Sequence, residues 1–218
     1  MKNKTFAVIG LDRFGSNLAI NLQNLGNEVI GIDADAEKVR RVSDIITHAA
    51  IGDPTDEDVL RTLGVRNADV AIVALTDNIQ SGVLVTLMLK EMGMTNVIAE
   101  CTSEIHGRIL TKVGADKVIY PEKDMGERLA KSLSNTDIMD YIDLSDDYSI
   151  MEIRVPKSWA GKSILELNVR VNYNINIIAC RDADGSICIS PDPKMPLVAE
   201  NKLIVVGANE SIETIINQ

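Results

Sequence analysis

Phe6-Ala-Val-Ile-Gly-Leu-Asp-Arg-Phe-Gly15 joins a short apolar run to two glycines five residues apart. Downstream, Val29-Ile-Gly-Ile-Asp33 is a second apolar run, and its terminal carboxylate lies 23 residues after Gly10. The two segments read as a buried strand, a tight turn, a helix start and a second, acid-tipped strand. Gly10 permits the turn, and Gly15 lets the helix lie close on the sheet. The amides that open such a helix make a positive pocket for phosphate. Asp33 is placed to accept hydrogen bonds from ribose hydroxyls, and its charge disfavours the 2′-phosphate of NADP. The candidate nucleotide-binding residues of this region are therefore Gly10, Asp12, Arg13, Phe14, Gly15 and Asp33.

One position departs from G-x-G-x-x-G: Asp12 stands where the second glycine is expected. A side chain there crowds a pyrophosphate, and a carboxylate adds repulsion. Two like charges about 4 Å apart at an effective dielectric near 20 cost roughly 4 kcal/mol. Binding is therefore weakened unless a cation intervenes or Asp12 points away. Arg13 beside it is expected to offset part of the charge. Asp53, after the run ending at Ile51, carries two compatible readings, a carboxylate near an adenine and part of a helix start in Asp53-Pro-Thr-Asp56. Asp77 and Asn78, after the fourth run, invite the same two readings.

Working outward, apolar runs recur at Phe6–Ile9, Glu28–Ile32, Thr47–Ile51, Val70–Leu75, Val97–Ala99 and Lys117–Tyr120. Short Val- and Ile-rich runs of this kind suit a parallel sheet covered on both faces. Between them, helical spacing links Leu18, Leu22 and Leu25, then Val59, Leu60 and Leu63. It also links Leu84, Leu87, Met88 and Met92, then Ile105, Ile109, Leu110 and Val113. Gly26, Gly64, Gly93 and Gly114 close the four stripes. The alternation predicts a Rossmann-like, doubly wound α/β domain over residues 1–134, its last helix carrying Met125, Leu129 and Leu133 on one face. Residues 135–148, rich in Asp but interleaved with apolar residues, read as a crossover connector. Residues 149–218 read as a small α+β module. It has strands at Ile150–Val155, Ile175–Arg181 and Lys202–Val206, a short helix at Ser163–Leu167, and a hairpin turn at Asp182-Ala-Asp-Gly185 followed by a return run at Ser186–Ile189.

The formal charge of −10 argues against nucleic acid or an anionic membrane as a direct partner. No apolar run approaches the roughly 18 residues of a membrane span, and Met1–Thr5 lacks the pattern of a secretory leader. The expectation is a cytoplasmic chain that reaches any membrane through a partner. Cys101, Cys180 and Cys188 lack metal-type clustering and read as reduced packing residues.

Phe6–Gly15, Ile32-Asp33, Gly52-Asp53, Gly114–Gly126 with its Pro-Glu-Lys-Asp-Met-Gly end, and Tyr141-Ile-Asp-Leu-Ser145 carry a resemblance. So do Ala160–Ile164 and Leu167–Arg170. Over essentially its whole length the chain resembles the cytosolic regulatory subunits of Ktr/Trk potassium uptake systems, the proteins of RCK domains (regulators of potassium conductance). The resemblance implies an octameric ring, built from dimers, beneath a membrane-embedded potassium channel or transporter subunit. It implies ATP or ADP in the large domain, with the choice of nucleotide changing ring shape and channel opening. By resemblance Asp33 holds the ribose, Arg13 reaches phosphates at a subunit interface, and Glu122 helps bind a divalent cation between paired subunits. Some relatives bind cyclic di-AMP between two small modules, where Ile164, Arg170, Asn176, Ile177 and Pro191 would line the cleft. Asp12 departs from the glycine usual in close relatives.

The competing class is a small NAD-dependent oxidoreductase holding NAD or NADH, which would need a proton-transfer residue and a substrate pocket beside the nicotinamide. Only His48 and His106 exist, and both read as structural or exposed. No nucleophile–base pair appears. The sequence therefore favours a nucleotide-sensing regulator over an enzyme.

Overall fold

The computed structural model describes residues 3–134, 138–145 and 147–216. Asp137 and Asp146 of the predicted connector lie outside them. The chain forms two compact units, Met1–Asp124 and Met125–Gln218.

The first unit alternates strand and helix. It starts with β1 (Thr5–Ile9), α1 (Arg13–Asn24), β2 (Glu28–Asp33), α2 (Ala36–Val42), β3 (His48–Ile51) and α3 (Glu57–Thr62). It continues with β4 (Val70–Val73), α4 (Ile79–Glu91), β5 (Val97–Glu100), α5 (Glu104–Lys112) and β6 (Lys117–Ile119). The next helix, α6 (Pro121–Ser134), runs across the boundary between the units. All six strands form one sheet in the order β3-β2-β1-β4-β5-β6, and every pairing is parallel. This is the doubly wound sheet that the strand–helix rhythm predicts. The order reverses between β1 and β4, so the loops after those strands diverge and leave a crevice at the carboxyl edge. Central residues such as Ala7, Ile9, Ile32, Ala71 and Val73 are fully or almost fully buried.

Several helical faces turn differently from their apolar spacing. On α4 the buried large apolar side chains are Val85, Met88 and Leu89, while Leu84 and Leu87 are exposed. On α5, His106, Gly107 and Leu110 point inward and Ile105 and Ile109 outward. Leu25 caps α1 and is 78% exposed. In each case the helix carries more apolar residues than one face needs, so spacing alone does not choose the face. Helix α2 also goes unread in the apolar spacing, because Val39 and Val42 are its only buried residues.

The second unit includes β7 (Ile138–Asp143), β8 (Tyr148–Arg154), α7 (Ile164–Leu167), α8 (Val169–Asn172), β9 (Ile175–Arg181) and β10 (Ile187–Ile189). It ends with β11 (Lys202–Ala208) and α9 (Asn209–Ile216). Its sheet runs β10-β9-β11-β8-β7 with all pairings antiparallel. Part of the stretch read as a connector is thus the edge strand β7. The core packs Trp159, Leu203, Val205, Ile212 and Ile215. Trp159 lies 4.9 Å, centroid to centroid, from Tyr173. Ser163 and Glu166 form a reciprocal capping box at α7.

Candidate functional site

Gly10 follows β1 at φ 97°, where a Cβ would lie 2.1 Å from the Ala74 carbonyl oxygen. A Cβ at Gly15 would lie 2.0 Å from the Gly10 carbonyl oxygen. Backbone on both sides leaves no room for either, so the turn is held tight against β4 and the first turn of α1. The Gly10 amide donates to Ile32 and the Ala74 amide to Ile9, which locks the turn to its neighbouring strands.

Asp33, only 7% exposed, ends β2 beside this turn. Its Oδ2 accepts from the Leu11 amide at 2.7 Å and its Oδ1 from the Asp35 amide at 2.8 Å. One carboxylate thus organises the glycine turn and the start of α2. Each oxygen keeps acceptor capacity beyond these bonds, which a ribose hydroxyl can use.

Asp12 is the N-cap residue of α1 but makes no side-chain capping bond. It pairs with Lys38 instead: Nζ lies 2.5 Å from Asp12 Oδ1 and 3.9 Å from Asp33 Oδ2. The hydrogen bond to Asp12 raises the Lys38 pKa; burial opposes this, and the charges of Asp33, Asp12 and Asp77 add to it. The cation that compensates Asp12 is therefore Lys38. Arg13, expected in that role, is exposed in the first turn of α1, and Phe14 beside it is half-buried. The sequence signal for Lys38 lies in Asp35-Ala-Glu-Lys38. Asp35 caps α2 by accepting from the Glu37 amide, and a helix begun there carries Lys38 in its first turn.

The other strand-end acids divide by role. Asp53 is exposed and accepts from the Thr55 amide and hydroxyl, and the hydroxyl bond above all lowers its pKa. Asp56 is the N-cap of α3, so Asp53-Pro-Thr-Asp56 is a helix start, as one of its two readings expects. Asn78 caps α4 by accepting from the Ser81 amide. Asp77, after β4, adds to the charges that raise the Lys38 pKa.

A further acid, missed in the sequence, is Glu100 at the end of β5. Burial first, then the charges of Glu122 and Asp12, raise its pKa to about 7. Glu100 and Glu122 line a cavity of about 60 Å³ with Thr76, Thr102, Tyr120 and Lys123. Glu100 obeys the same rule as Asp33, a carboxylate at the carboxyl edge of a sheet strand, and that rule could have found it. Among the described residues no three His, Cys, Asp or Glu side chains converge as a metal site. Among the described residues, Glu100 and Glu122 are the two carboxylates that line this cavity. His106 is 2% exposed, and burial lowers its pKa. His48 is exposed. Neither stands beside Asp33 or the glycine turn in any hydrogen bond or ion pair among the described residues.

In the second unit, Ile164, Arg170, Asn176 and Ile177 line one cavity of about 420 Å³. Arg170 Nε donates to Asn176 Oδ1 at 2.8 Å. The proline on this cavity is Pro193, while Pro191 lies earlier in the same loop and is not part of the lining.

Residues 6–121 match the TrkA-N domain and residues 150–218 the TrkA-C domain. The chain is 42% identical over 218 residues to Ktr system potassium uptake protein A of Bacillus subtilis (strain 168), covering 100% of this chain and 98% of that relative. It is 40% identical over 205 residues to Ktr system potassium uptake protein C of the same organism, covering 94% and 92%. Among solved structures it is similar to the GsuK RCK domain, with a TM-score of 0.67 and 21% identity over 100% of this chain and 48% of that one. The chain spans less than half of that solved chain, and at this identity the likeness is one of fold. A TrkA-N domain, a TrkA-C domain behind it and relatives matched along more than nine-tenths of their length leave one conclusion: the chain belongs to the TrkA/Ktr family of potassium-uptake proteins.

Proposed function

We propose that the chain is a non-enzymatic, nucleotide-sensing regulatory subunit that acts on a membrane-embedded potassium channel or transporter from the cytoplasmic side. The single observation that carries this reading is the Asp33 carboxylate, bonded to the Leu11 amide inside a glycine turn too tight for any Cβ. That arrangement offers a ribose acceptor and amide donors together at the switch point of the sheet. No helix among the described residues is long and apolar enough to cross a membrane, which fits action through a partner.

ATP and ADP are the proposed ligands, with Asp33 on the ribose and Arg13 and Lys38 toward the phosphates. NAD is the second ligand to test, since GsuK, a fold relative, is described bound to NAD and to ADP. Glu122, with Glu100 beside it, is the proposed contribution to a divalent cation shared between subunits. The cavity of Ile164, Arg170, Asn176 and Ile177 is the proposed place for cyclic di-AMP, its arginine supplying charge-assisted bonds to a phosphodiester.

Self-assembly into dimers and an octameric ring is part of the proposal. Exposed Leu84, Leu87, Ile105 and Ile109 on α4 and α5, and Met125, Leu129 and Leu133 on α6, support it. A nucleotide changes such a ring only if it binds one ring geometry better than another. Small-angle scattering with ATP and with ADP tests the switch: different ring dimensions are expected, and identical profiles reject it. Calorimetric titration with ATP, ADP, NAD and cyclic di-AMP ranks the ligands. Hydride transfer from NADH to any substrate would restore the oxidoreductase alternative.

A further inference from the structure

Cys180 of β9 and Cys188 of β10 stand directly opposite one another in the antiparallel pairing. The row continues inward, Cys180 facing Leu203 of β11 and Leu203 facing Ile153 of β8. Ile153 and Leu203 are fully buried, Cys180 is 8% exposed, and Cys188 lies open at the sheet edge. Directly paired residues share a face, so the row puts one thiol at the rim of the core and the second just beyond it. Hydrogen bonds from the Asp182 amide to Ser186 and from the Ser190 amide to Ile178 lie two residues to either side. That spacing puts the cysteines at a hydrogen-bonded pair, where opposite Cα atoms are about 5.5 Å apart, within the Cα range of a disulfide, while the Cβ atoms, about 5.5 Å apart at such a site, have to approach by about 1 Å before the sulfurs join. Asn201 Nδ2 donates to the Cys180 sulfur at 3.7 Å. Burial raises the Cys180 pKa; the Asn201 bond opposes this, and Asp182 and Cys188 add to the rise.

We propose that Cys188 and Cys180 form a reversible thiol modification site whose reagent is a low-molecular-weight disulfide, RSSR. The Cys188 thiolate attacks one sulfur of RSSR, forming a mixed disulfide and releasing RS⁻, which takes up a proton. The Cys180 thiolate, its proton lost to water, then attacks the Cys188 sulfur and expels the second RS⁻, which is protonated in turn. Two protein thiols are oxidised to one disulfide, and one RSSR is reduced to two RSH. The three-residue β10 is the element that moves to close the sulfurs, because it pairs only with β9 among the described residues. It leads directly through Ser190 to Pro193, whose carbonyl accepts from the Leu165 amide at 2.8 Å and which borders the cavity of Arg170 and Asn176. Oxidation thereby fastens the loop at that cavity.

The test treats the full chain with oxidised glutathione and follows intact mass, peptide maps and hydrogen exchange. The expected product has lost two hydrogen atoms and carries a Cys180–Cys188 linked peptide, which excess reduced glutathione reverses. Cys188→Ser, a change at an exposed edge, abolishes the product, whereas Cys101→Ser keeps it. Glutathione retained on Cys188, or a Cys188 disulfide between two copies, would overturn the site. Slower exchange at the Leu165 amide after oxidation supports the link to the cavity, and unchanged exchange overturns that link.

Discussion

At the scale of single residues, the decisive contact is the Asp12–Lys38 pair beside the glycine turn. On the proposed function, a phosphate at this turn has to share Lys38 with Asp12, so the pair would set its affinity from both sides. Asp12→Gly frees Lys38 and removes the repulsion without costing a cap bond, and calorimetry should show ADP binding at least about tenfold tighter, equal to about 1.4 kcal/mol. Lys38→Ala leaves Asp12 uncompensated and should weaken ADP by about the same factor. Unchanged affinity in both variants would separate the turn from the phosphates. Glu100 supplies a pH dependence. Burial, then the charges of Glu122 and Asp12, raise its pKa from an ordinary value of 4.5 to about 7. Between those values the folded state binds more protons than the unfolded one, so stability is greatest below the lower value and falls as pH rises toward the upper. Urea unfolding in chelator should show this fall, and Glu100→Gln should flatten it.

At the scale of elements, close approach explains why two glycines are needed and a third is a matter of backbone conformation. A methyl group at Gly15 meets the Gly10 carbonyl, so Gly15→Ala forces α1 away from the sheet and should cost about 2 kcal/mol or more. Gly26 has open space around it but φ of 82°, so Gly26→Ala should cost only about 1 kcal/mol. Comparison of urea midpoints separates the two, and only Gly15→Ala should also reduce nucleotide binding. In the small unit, Ser163→Ala removes the hydroxyl half of the α7 capping box, keeps the bond from the residue-163 amide to Glu166, and should lower stability by about 1 kcal/mol. An unchanged thermal midpoint would show that α7 is held by packing alone.

At the scale of the whole molecule, an acidic chain with no membrane-length apolar helix among its described residues still exposes a run of large apolar side chains. Met125, Leu129 and Leu133 are each more than half exposed and recur every four residues on α6. Such a stripe on a 14-residue helix is costly in water unless a second surface covers it. Leu129→Glu with Leu133→Glu should therefore shift the assembly toward smaller species in light scattering. An unchanged mass would mean that assembly runs through other surfaces.

The alternation of short Val- and Ile-rich runs with glycine-closed helices was enough by itself to determine the doubly wound sheet, because the periods of strand and helix are local properties of the chain. Gly10, Gly15 and Asp33 were legible for the same reason, since their roles follow from the turn they sit in. Tertiary structure alone decided which faces of α4 and α5 are buried, because both helices carry surplus apolar residues. It alone joined Lys38 to Asp12, two residues 26 apart in the chain, and set Glu100 in the field of Glu122 and Asp12. Charge pairing and burial depend on distances through space, and those exist only once β2, β1, β4 and β5 lie in one sheet.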